Sequence, residues 1–187
     1  PENNLRNYVA MGSFEAVIEA DLVGRGADIV AVFRPYANDG TCGVANVPSL
    51  SDERLFDPNY ERQFRGGYTQ TGITIECEDS TLAHEVGHTQ GLMHSREQDG
   101  QGGLYAYGLG YGVQDEFVTV MGYTSTFNAG YIDVFSSPEL DCDGLPCGYD
   151  HTDRDKGADA VRALNNVRFA YQDRVRRTNV EGELLSI

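Results

Sequence analysis

The feature that most constrains this chain is a segment of eleven residues, His84 to His94, which holds three of its four histidines. On a helix, His84 and His88 lie one turn apart and project from the same face, so both imidazoles can reach one ion. Glu85 is rotated by about 100° from His84, which puts its carboxylate beside that ion. Gly91 can adopt a positive φ, so the helix can end there and the chain can bring His94 back as a third ligand.

This set of side chains indicates a catalytic rather than a structural metal site. Three neutral imidazoles with one open position are typical of catalytic zinc, whereas structural zinc sites have four protein ligands. A carboxylate beside such an ion can act as the general base for an attacking water molecule. The sequence therefore predicts His84, His88 and His94 as metal ligands and Glu85 as a catalytic residue. The alternative, unrelated histidines that fall together by chance, is disfavoured by the spacing.

Composition excludes several other function classes. The chain has 187 residues, with 29 acidic and 14 basic side chains and a net charge of -15. Nucleic-acid binding and docking on anionic lipid both need clustered positive charge, so neither partner is expected. The best apolar run, residues 27–33, is far shorter than the roughly 20 residues of a membrane span. We expect one domain, 1–187, that acts as a monomer without a membrane partner.

The four cysteines, Cys42, Cys77, Cys142 and Cys147, indicate two disulfides and an oxidising compartment. Of the three pairings, Cys142–Cys147 is favoured because its short loop can close locally, which leaves Cys42–Cys77. A four-cysteine zinc site is the alternative, although no Cys-x-x-Cys spacing is present. The chain begins at Pro1 without a signal-like segment, and we expect a processed, secreted product.

Periodicity predicts an α+β fold. In the first half, we expect a helix at 13–22, a buried strand at 27–33, a strand at 42–47, an ordered loop at 50–70 and a half-exposed or edge strand at 73–77.

The second half begins with a helix at 81–90, which Asp79 and Ser80 can cap and Gly91 ends. Residues 98–112 are too rich in glycine for regular structure, and the apolar stretch 117–121 leads into a turn at Gly122. A last helix is predicted over 157–177, with a buried stripe formed by Val161, Leu164, Val167, Tyr171 and Val175.

The segment His84–His94 matches the H-E-x-x-H-x-x-G-x-x-H pattern of the metzincin zinc peptidases. These proteins also have a methionine turn beneath the metal, and Val120-Met121-Gly122-Tyr123 follows at a suitable separation. Within the metzincins the chain resembles the bacterial reprolysin-like peptidases, including the peptidyl-Asp metalloendopeptidases, from about residue 5 to residue 172. The supporting segments are Gly26-Ala-Asp-Ile-Val, Cys42-Gly-Val-Ala, Thr81-Leu-Ala-His-Glu, Phe135-Ser-Ser-Pro and Ala163-Leu-Asn-Asn-Val-Arg-Phe.

The resemblance implies a metzincin-like catalytic domain with two lobes. The N-terminal lobe, 1–91, would hold a mixed β-sheet and the active-site helix, and the loop-rich C-terminal lobe, 92–187, would end in a helix. It implies a secreted endopeptidase that uses one zinc ion to hydrolyse polypeptides. A catalytically silent, metzincin-like protein-binding module is the alternative, which the intact Glu85 disfavours. A zinc amidase or deaminase would use different ligand spacings.

Three departures from the family pattern bear on these expectations. Only 83 residues precede His84, fewer than reprolysin-like domains carry, so one or two leading strands are expected to be missing, trimmed or supplied by another chain. Ser95 follows the last histidine; animal reprolysins have Asp there, and serine resembles the matrixins instead. Tyr123 stands two residues after Met121, where astacins and serralysins carry a tyrosine that can bind zinc. Tyr123 is therefore a second catalytic candidate, and simple packing under the site is its alternative.

The resemblance also suggests cleavage before acidic residues. The loop 124–129 would form the wall on the leaving-group side, and Arg96, Arg154 or Arg162 could line a basic pocket. An apolar pocket formed by Phe127 and Tyr131 is the plainer expectation.

The acidic segment 141–155 offers the oxygen ligands that a second metal would need. Calcium takes oxygen ligands, so a stabilising calcium site could form there, although an acidic surface loop is favoured. The acidic residues concerned are Asp141, Asp143, Asp150, Asp153 and Asp155.

Overall fold

The structure is a computed structural model that describes residues 30–34, 40, 42–45, 47, 68–72, 77, 79–98 and 100–175. It confirms the α+β class. The elements in chain order are β1 (Val30–Arg34), β2 (Gly43–Ala45), β3 (Tyr68–Gly72), α1 (Thr81–Thr89), β4 (Gly112–Val113), β5 (Phe117–Thr119), α2 (Thr124–Phe127), β6 (Tyr131–Ile132), β7 (Asp141–Cys142), β8 (Leu145–Pro146) and α3 (Ala160–Val175).

The first three strands form a mixed sheet in the order β1-β3-β2. The central strand β3 is parallel to β1, with Val30 opposite Tyr68, and antiparallel to β2, with Gly43 opposite Thr71. Helix α1 packs against both β2 and β3. The edge strand β2 is thereby brought next to the helix that carries the first two histidines.

The position of β3 corrects the sequence prediction. A loop is predicted up to residue 70 and a half-exposed strand at 73–77, whereas the strand spans Tyr68–Gly72 and Cys77 lies in a bend. The segment is polar, which favours a loop on local grounds. Pairing with a neighbour on each side overrides that preference, since strand formation depends strongly on context.

The other strand predictions in this half agree where they can be compared. β1 overlaps the strand expected at 27–33, and β2 lies within the strand expected at 42–47. Residues 27–29, the helix expected at 13–22, and residues 50–67 and 73–76 lie outside the described residues.

Helix α1 confirms the helix predicted at 81–90, but its start differs from the predicted cap. Ser80 occupies the N-cap position with φ -74° and makes no side-chain cap; instead, its carbonyl accepts a hydrogen bond from the N–H of His84 at 2.9 Å. The end follows the prediction. Gly91 has φ +88°, and the N–H of Leu92 donates to the carbonyl of Gly87 at 3.0 Å, as in a Schellman turn.

Helix α3 begins at Ala160, three residues later than predicted, because its first turn is capped from elsewhere. The hydroxyl of Ser136 accepts a hydrogen bond from the N–H of Ala160 at 2.9 Å and donates one to the carbonyl of Leu109 at 2.5 Å. Asp159 accepts a hydrogen bond from the N–H of Arg162 at 3.1 Å, at the helix start. Ser136 is distant from α3 in sequence, whereas Asp159 directly precedes the helix.

The buried face of α3 also differs from the predicted stripe. Ala160, Ala163 and Val167 are buried, whereas Val161 and Leu164 are only partly buried. The side chains of Tyr171 and Val175 lie outside the described residues. The small alanines allow α3 to approach the core cluster of Leu92, Val120 and Met121.

Both predicted disulfides are present. The Cα atoms of Cys42 and Cys77 are 5.5 Å apart, and those of Cys142 and Cys147 are 5.2 Å apart. The first disulfide ties the residue before β2 to the segment that leads into α1, and the second closes the β7–β8 hairpin. No helix within the described ranges is both long and apolar enough to cross a bilayer.

Candidate metal centre and active site

The three histidines of the predicted motif meet at one point. His84 and His88 project from α1, and the turn at Gly91 brings His94 back towards them. The Nε2 atom of His94 lies 3.2 Å from Nε2 of His84 and 3.1 Å from Nε2 of His88. Among the residues that the structure describes, this is the one group of potential ligand side chains whose donor atoms cluster, all within 4.8 Å of one another.

Two of the imidazoles are oriented by backbone carbonyls. Nδ1 of His84 lies 2.8 Å from the carbonyl oxygen of Val120, and Nδ1 of His88 lies 2.9 Å from that of Leu92. A carbonyl can only accept, so each Nδ1 carries the proton and donates it. In the neutral ring this leaves a lone pair on Nε2, and such hydrogen bonds are the usual way in which metal-binding histidines are held.

The converging nitrogens fit a cation. Lone pairs of His84 and His88 both face Nε2 of His94, and a proton there could satisfy only one of them well. Ligands about 2.0–2.1 Å from a tetrahedral zinc ion are separated by about 3.3 Å, close to the observed distances. Nitrogen ligands suit zinc and similar transition metals, whereas magnesium and calcium take oxygen.

Burial keeps one of these imidazoles neutral at physiological pH. The pKa of His88 is lowered to about 4, chiefly by desolvation. Its hydrogen bond to the Leu92 carbonyl acts in the opposite direction, and the neighbouring charge of His94 lowers the pKa further. A neutral imidazole is the form that binds metal, so no proton has to leave His88 at pH 7 when an ion enters.

Glu85 is buried beside this cluster, against the backbone of the edge strand β2. Desolvation by burial raises the pKa of its carboxyl group to about 7. A Cβ atom on Gly43 would lie only 2.6 Å from Cγ of Glu85, so the strand leaves room for the carboxylate only because residue 43 is glycine. A carboxyl group with a pKa near 7 is well suited to accept and return a proton at neutral pH.

The turn that contains Met121 packs against α1. Met121 is fully buried, and a Cβ atom on Gly87 would lie 2.6 Å from its sulfur. Val120, one residue earlier, supplies the carbonyl that orients His84. The turn therefore contacts α1 between the two histidines and positions one of them directly.

Tyr123 is brought to the histidine cluster. Its ring centroid lies 4.6 Å from that of His94 and 5.8 Å from that of His84, nearly parallel to the latter at 28°. The side chain is 43% exposed, so the ring borders the cluster on its solvent side. Whether the phenol binds metal stays a prediction.

Several residues that shape the site were missed by sequence reasoning. The carbonyls of Val120 and Leu92 have no sequence signal, because any residue has a carbonyl. Gly43 does have a weak signal, since glycine inside a strand often marks the close approach of another group. Gln98 contacts the backbone of Tyr123, and nothing in its local sequence indicates that role.

The arginines proposed for a basic pocket have different environments. Arg96 donates hydrogen bonds from Nη2 to the carbonyls of Ala106 at 3.1 Å and Gly157 at 3.0 Å. It therefore supports the backbone of two loops. Arg154 and Arg162 are exposed to solvent.

The apolar candidates are engaged in packing. Phe127 is buried, and a Cβ atom on Gly112 would lie 2.7 Å from its ring. Tyr131 donates its hydroxyl proton to the carbonyl of Gly122 at 3.0 Å, directly after Met121. Both residues thus stabilise the loop that follows the methionine turn.

The acidic segment near residue 150 gives no support to a calcium site. Asp150 accepts a hydrogen bond from the N–H of Thr152 at 2.8 Å, and Asp153 accepts one from the N–H of Lys156 at 3.0 Å. These carboxylates stabilise turns. Within the described ranges, they do not converge into a group that could hold an ion.

Comparison with known proteins adds to this geometry. The model of the family described as "Metallo-peptidase family M12B Reprolysin-like" matches residues 1–95. A "Peptidyl-Asp metalloendopeptidase" of Pseudomonas aeruginosa is 37% identical over 180 residues, which cover 84% of this chain and 28% of that protein. A protein of the same name from Stenotrophomonas maltophilia is 32% identical over 92 residues, which cover 47% of this chain and 21% of that protein. The chain thus spans less than a third of the length of these curated relatives.

A solved structure shares the fold. It is described as "Structure of a chaperone-substrate complex" and superimposes with a TM-score of 0.61 at 23% sequence identity. The match covers 90% of this chain and 27% of that chain. At this level of identity, the similarity concerns the arrangement of helices and strands.

Proposed function

The chain belongs to the reprolysin-like family of M12B metallopeptidases, and we propose that it is a zinc-dependent endopeptidase in which His84, His88 and His94 hold one zinc ion. The observation that carries this proposal is the convergence of the three Nε2 atoms, two of them on rings whose Nδ1 protons are donated to backbone carbonyls. Zinc bound there would lower the pKa of a water molecule and polarise a scissile carbonyl.

Glu85 is the general base in this proposal. Its carboxyl group is buried beside the first histidine, with a pKa of about 7. It would take a proton from the attacking water and deliver it to the leaving amine. Tyr123 would donate a hydrogen bond from its phenol to the developing oxyanion, a role that its ring contact with His94 supports.

We propose that polypeptide substrates bind in an extended form along β2. This strand lies at the edge of the described sheet, and an edge strand can pair with an extended peptide. Gly43, in the same strand, lies against Glu85. A peptide paired with β2 would therefore pass close to the carboxylate that moves the proton.

We further propose a preference for an acidic residue after the cleaved bond. The relatives named peptidyl-Asp metalloendopeptidases support it. Arg154 and Arg162 are the better candidates to recognise the acidic side chain, since Arg96 already binds two backbone carbonyls. With a net charge of -15, the chain as a whole repels acidic peptides, so recognition must be local.

We propose that the chain has two lobes, 1–91 and 92–187. The Schellman turn at Gly91 supports this division, because there the chain leaves the active-site helix. Two disulfides support a secreted protein, since they persist in oxidising compartments. All three imidazoles come from one chain, so the proposed metal site is complete in a monomer.

The decisive experiment compares the parent protein with Glu85→Gln. The variant should bind zinc normally and lose about 10²- to 10⁴-fold in turnover, because the amide cannot accept the proton. Zinc content and cleavage of a peptide library, read by mass spectrometry, measure the two effects. Glu116→Gln makes the same change at an exposed position and serves as the matched control.

The outcomes separate the parts of the proposal. Normal turnover in Glu85→Gln would refute the role of Glu85. Cleavage before Asp or Glu would support the acidic preference, and cleavage before bulky apolar residues would remove it while leaving the mechanism intact. If the parent protein bound zinc and cleaved nothing beyond the Glu85→Gln blank, the peptidase proposal would fail.

A further inference from the structure

Gln98 joins two segments that meet at the histidine cluster. Its side-chain oxygen accepts hydrogen bonds from the hydroxyl of Ser95 at 3.1 Å and from the backbone N–H of Tyr123 at 2.9 Å. The N–H of Tyr123 can only donate, so the amide oxygen rather than the amide nitrogen faces it. One amide group therefore connects the residue after His94 with the residue two after Met121.

Both ends of this connection are fixed. Ser95 is fully buried and directly follows His94. The N–H of Gln98 donates to the carbonyl of Ser95 at 3.1 Å, which holds the glutamine in a short turn. At the other end, the N–H of Gly122 donates to the carbonyl of Thr119 at 2.8 Å. A shift of the amide oxygen would therefore disturb both the segment that follows His94 and the segment that follows Met121.

The connection acts on Tyr123, whose ring lies beside the histidine cluster. The ring of Tyr123 contacts His94 and His84, yet 43% of the residue is exposed. The backbone of Tyr123 sets where the ring starts, so a contact that holds this backbone helps to place the ring over the imidazoles. Gln98 binds that backbone at the N–H of Tyr123 itself.

We propose that Gln98 is a positioning residue that holds Tyr123 against the metal-binding imidazoles and fixes His94 relative to the Met121 turn. Its effect on turnover rests on the proposed peptidase function. Its effect on the geometry of the histidine cluster does not, because that geometry can be measured without substrate.

Gln98→Met tests the proposal, because methionine has a similar length and lacks the strong acceptor. The metal-free protein is loaded with Co²⁺, whose visible absorption reports ligand geometry. We expect shifted bands, zinc affinity weakened by about 10- to 100-fold as for other groups that orient ligands, and a fall in kcat with little change in KM. Gln98→Glu retains an oxygen acceptor and should restore most of the parent spectrum and zinc affinity.

Gln114→Met is the matched control, since Gln114 is exposed in the turn between β4 and β5. If Gln98→Met and Gln114→Met had the same Co²⁺ spectrum and zinc affinity as the parent protein, the proposal would be wrong. It would also be wrong if Gln98→Met only lowered the unfolding midpoint. Should Gln98→Met not fold, Ser95→Ala removes one of the two donors and must shift the spectrum in the same direction. A shifted spectrum in a chain that cleaves no peptide would refute the peptidase function alone.

Discussion

Replacing Gly43 by alanine tests how closely the edge strand β2 packs against Glu85. The new Cβ atom would lie 2.6 Å from Cγ and 2.7 Å from Cδ of Glu85. Carbon atoms in contact prefer about 3.5–4.0 Å, so the carboxylate has to move by about 1 Å. A catalytic group misplaced by about 1 Å costs roughly 10²-fold in rate. We therefore expect kcat/KM for peptide cleavage to fall by about 100-fold in Gly43→Ala.

Stability and metal content should change much less than activity. The crowded atoms belong to the end of a side chain, which can rotate, and the three imidazoles are untouched. The measurements are kcat/KM on a fluorogenic peptide, zinc per chain and the thermal unfolding midpoint. Gly130→Ala is the control, because a Cβ atom there has no neighbour within 4 Å. The reasoning is refuted if Gly43→Ala cleaves peptide as fast as Gly130→Ala, or if it loses zinc.

Three further predictions concern pH, the first disulfide and the metal. In metal-free Glu85→Gln, the free energy of unfolding should rise by up to about 3 kcal/mol as the pH increases from 4 to 6.5. His88 has a pKa of about 4 in the folded protein, so between these pH values the unfolded chain binds the proton more tightly and is favoured at the lower pH. In the metal-free parent protein, the free energy of unfolding should rise less, as measured by denaturant titrations. Glu85 has a pKa of about 7 in the folded protein, so its contribution to stability falls as the pH rises from 4.5 to 7. Replacing both Cys42 and Cys77 by serine should lower kcat/KM while zinc is retained, because β2 loses its covalent link to the segment before α1. Replacing Cys142 and Cys147 by serine in the β7–β8 hairpin should leave peptide cleavage unaltered. Removing zinc should lower the free energy of unfolding by about 4 kcal/mol relative to protein with free zinc at about 1,000 times its Kd, as measured by denaturation with and without a chelator.

The histidine cluster could be predicted from the sequence because its three members lie in one short segment. Helical spacing brings His84 and His88 to one face, and the positive φ of Gly91 returns His94, so local geometry suffices. Other parts of the site depend on strand register and loop packing. Gly43 lies against Glu85 from 41 positions before His84, and the carbonyl of Val120 reaches His84 from 36 positions after it. A glycine within a strand indicates a close approach, but no local pattern says which residue approaches.

The fold shows the same division between local and distant causes. Helix α1 was predictable from its pattern and its terminal glycine. Strand β3 was not, because its polar side chains favour a loop and its partners lie far away in sequence. The start of α3 at Ala160 depends on the hydroxyl of Ser136, 24 residues earlier. Sequence patterns therefore locate elements better than they locate the ends that distant side chains determine.

Two glycines connect local structure with the assembly of the site. Each destabilises the helix or strand in which it lies. Gly87 lies inside α1, where glycine costs about 1 kcal/mol relative to alanine, and Gly43 lies in a strand, which glycine also weakens. In each case a side chain of the candidate site occupies the space of the missing Cβ: the sulfur of Met121 at Gly87 and the carboxylate of Glu85 at Gly43. Locally unfavourable residues of this kind mark where distant parts of the chain assemble the site. The glycine between Glu85 and His88 is therefore as informative about the fold of this site as the histidines are about its chemistry.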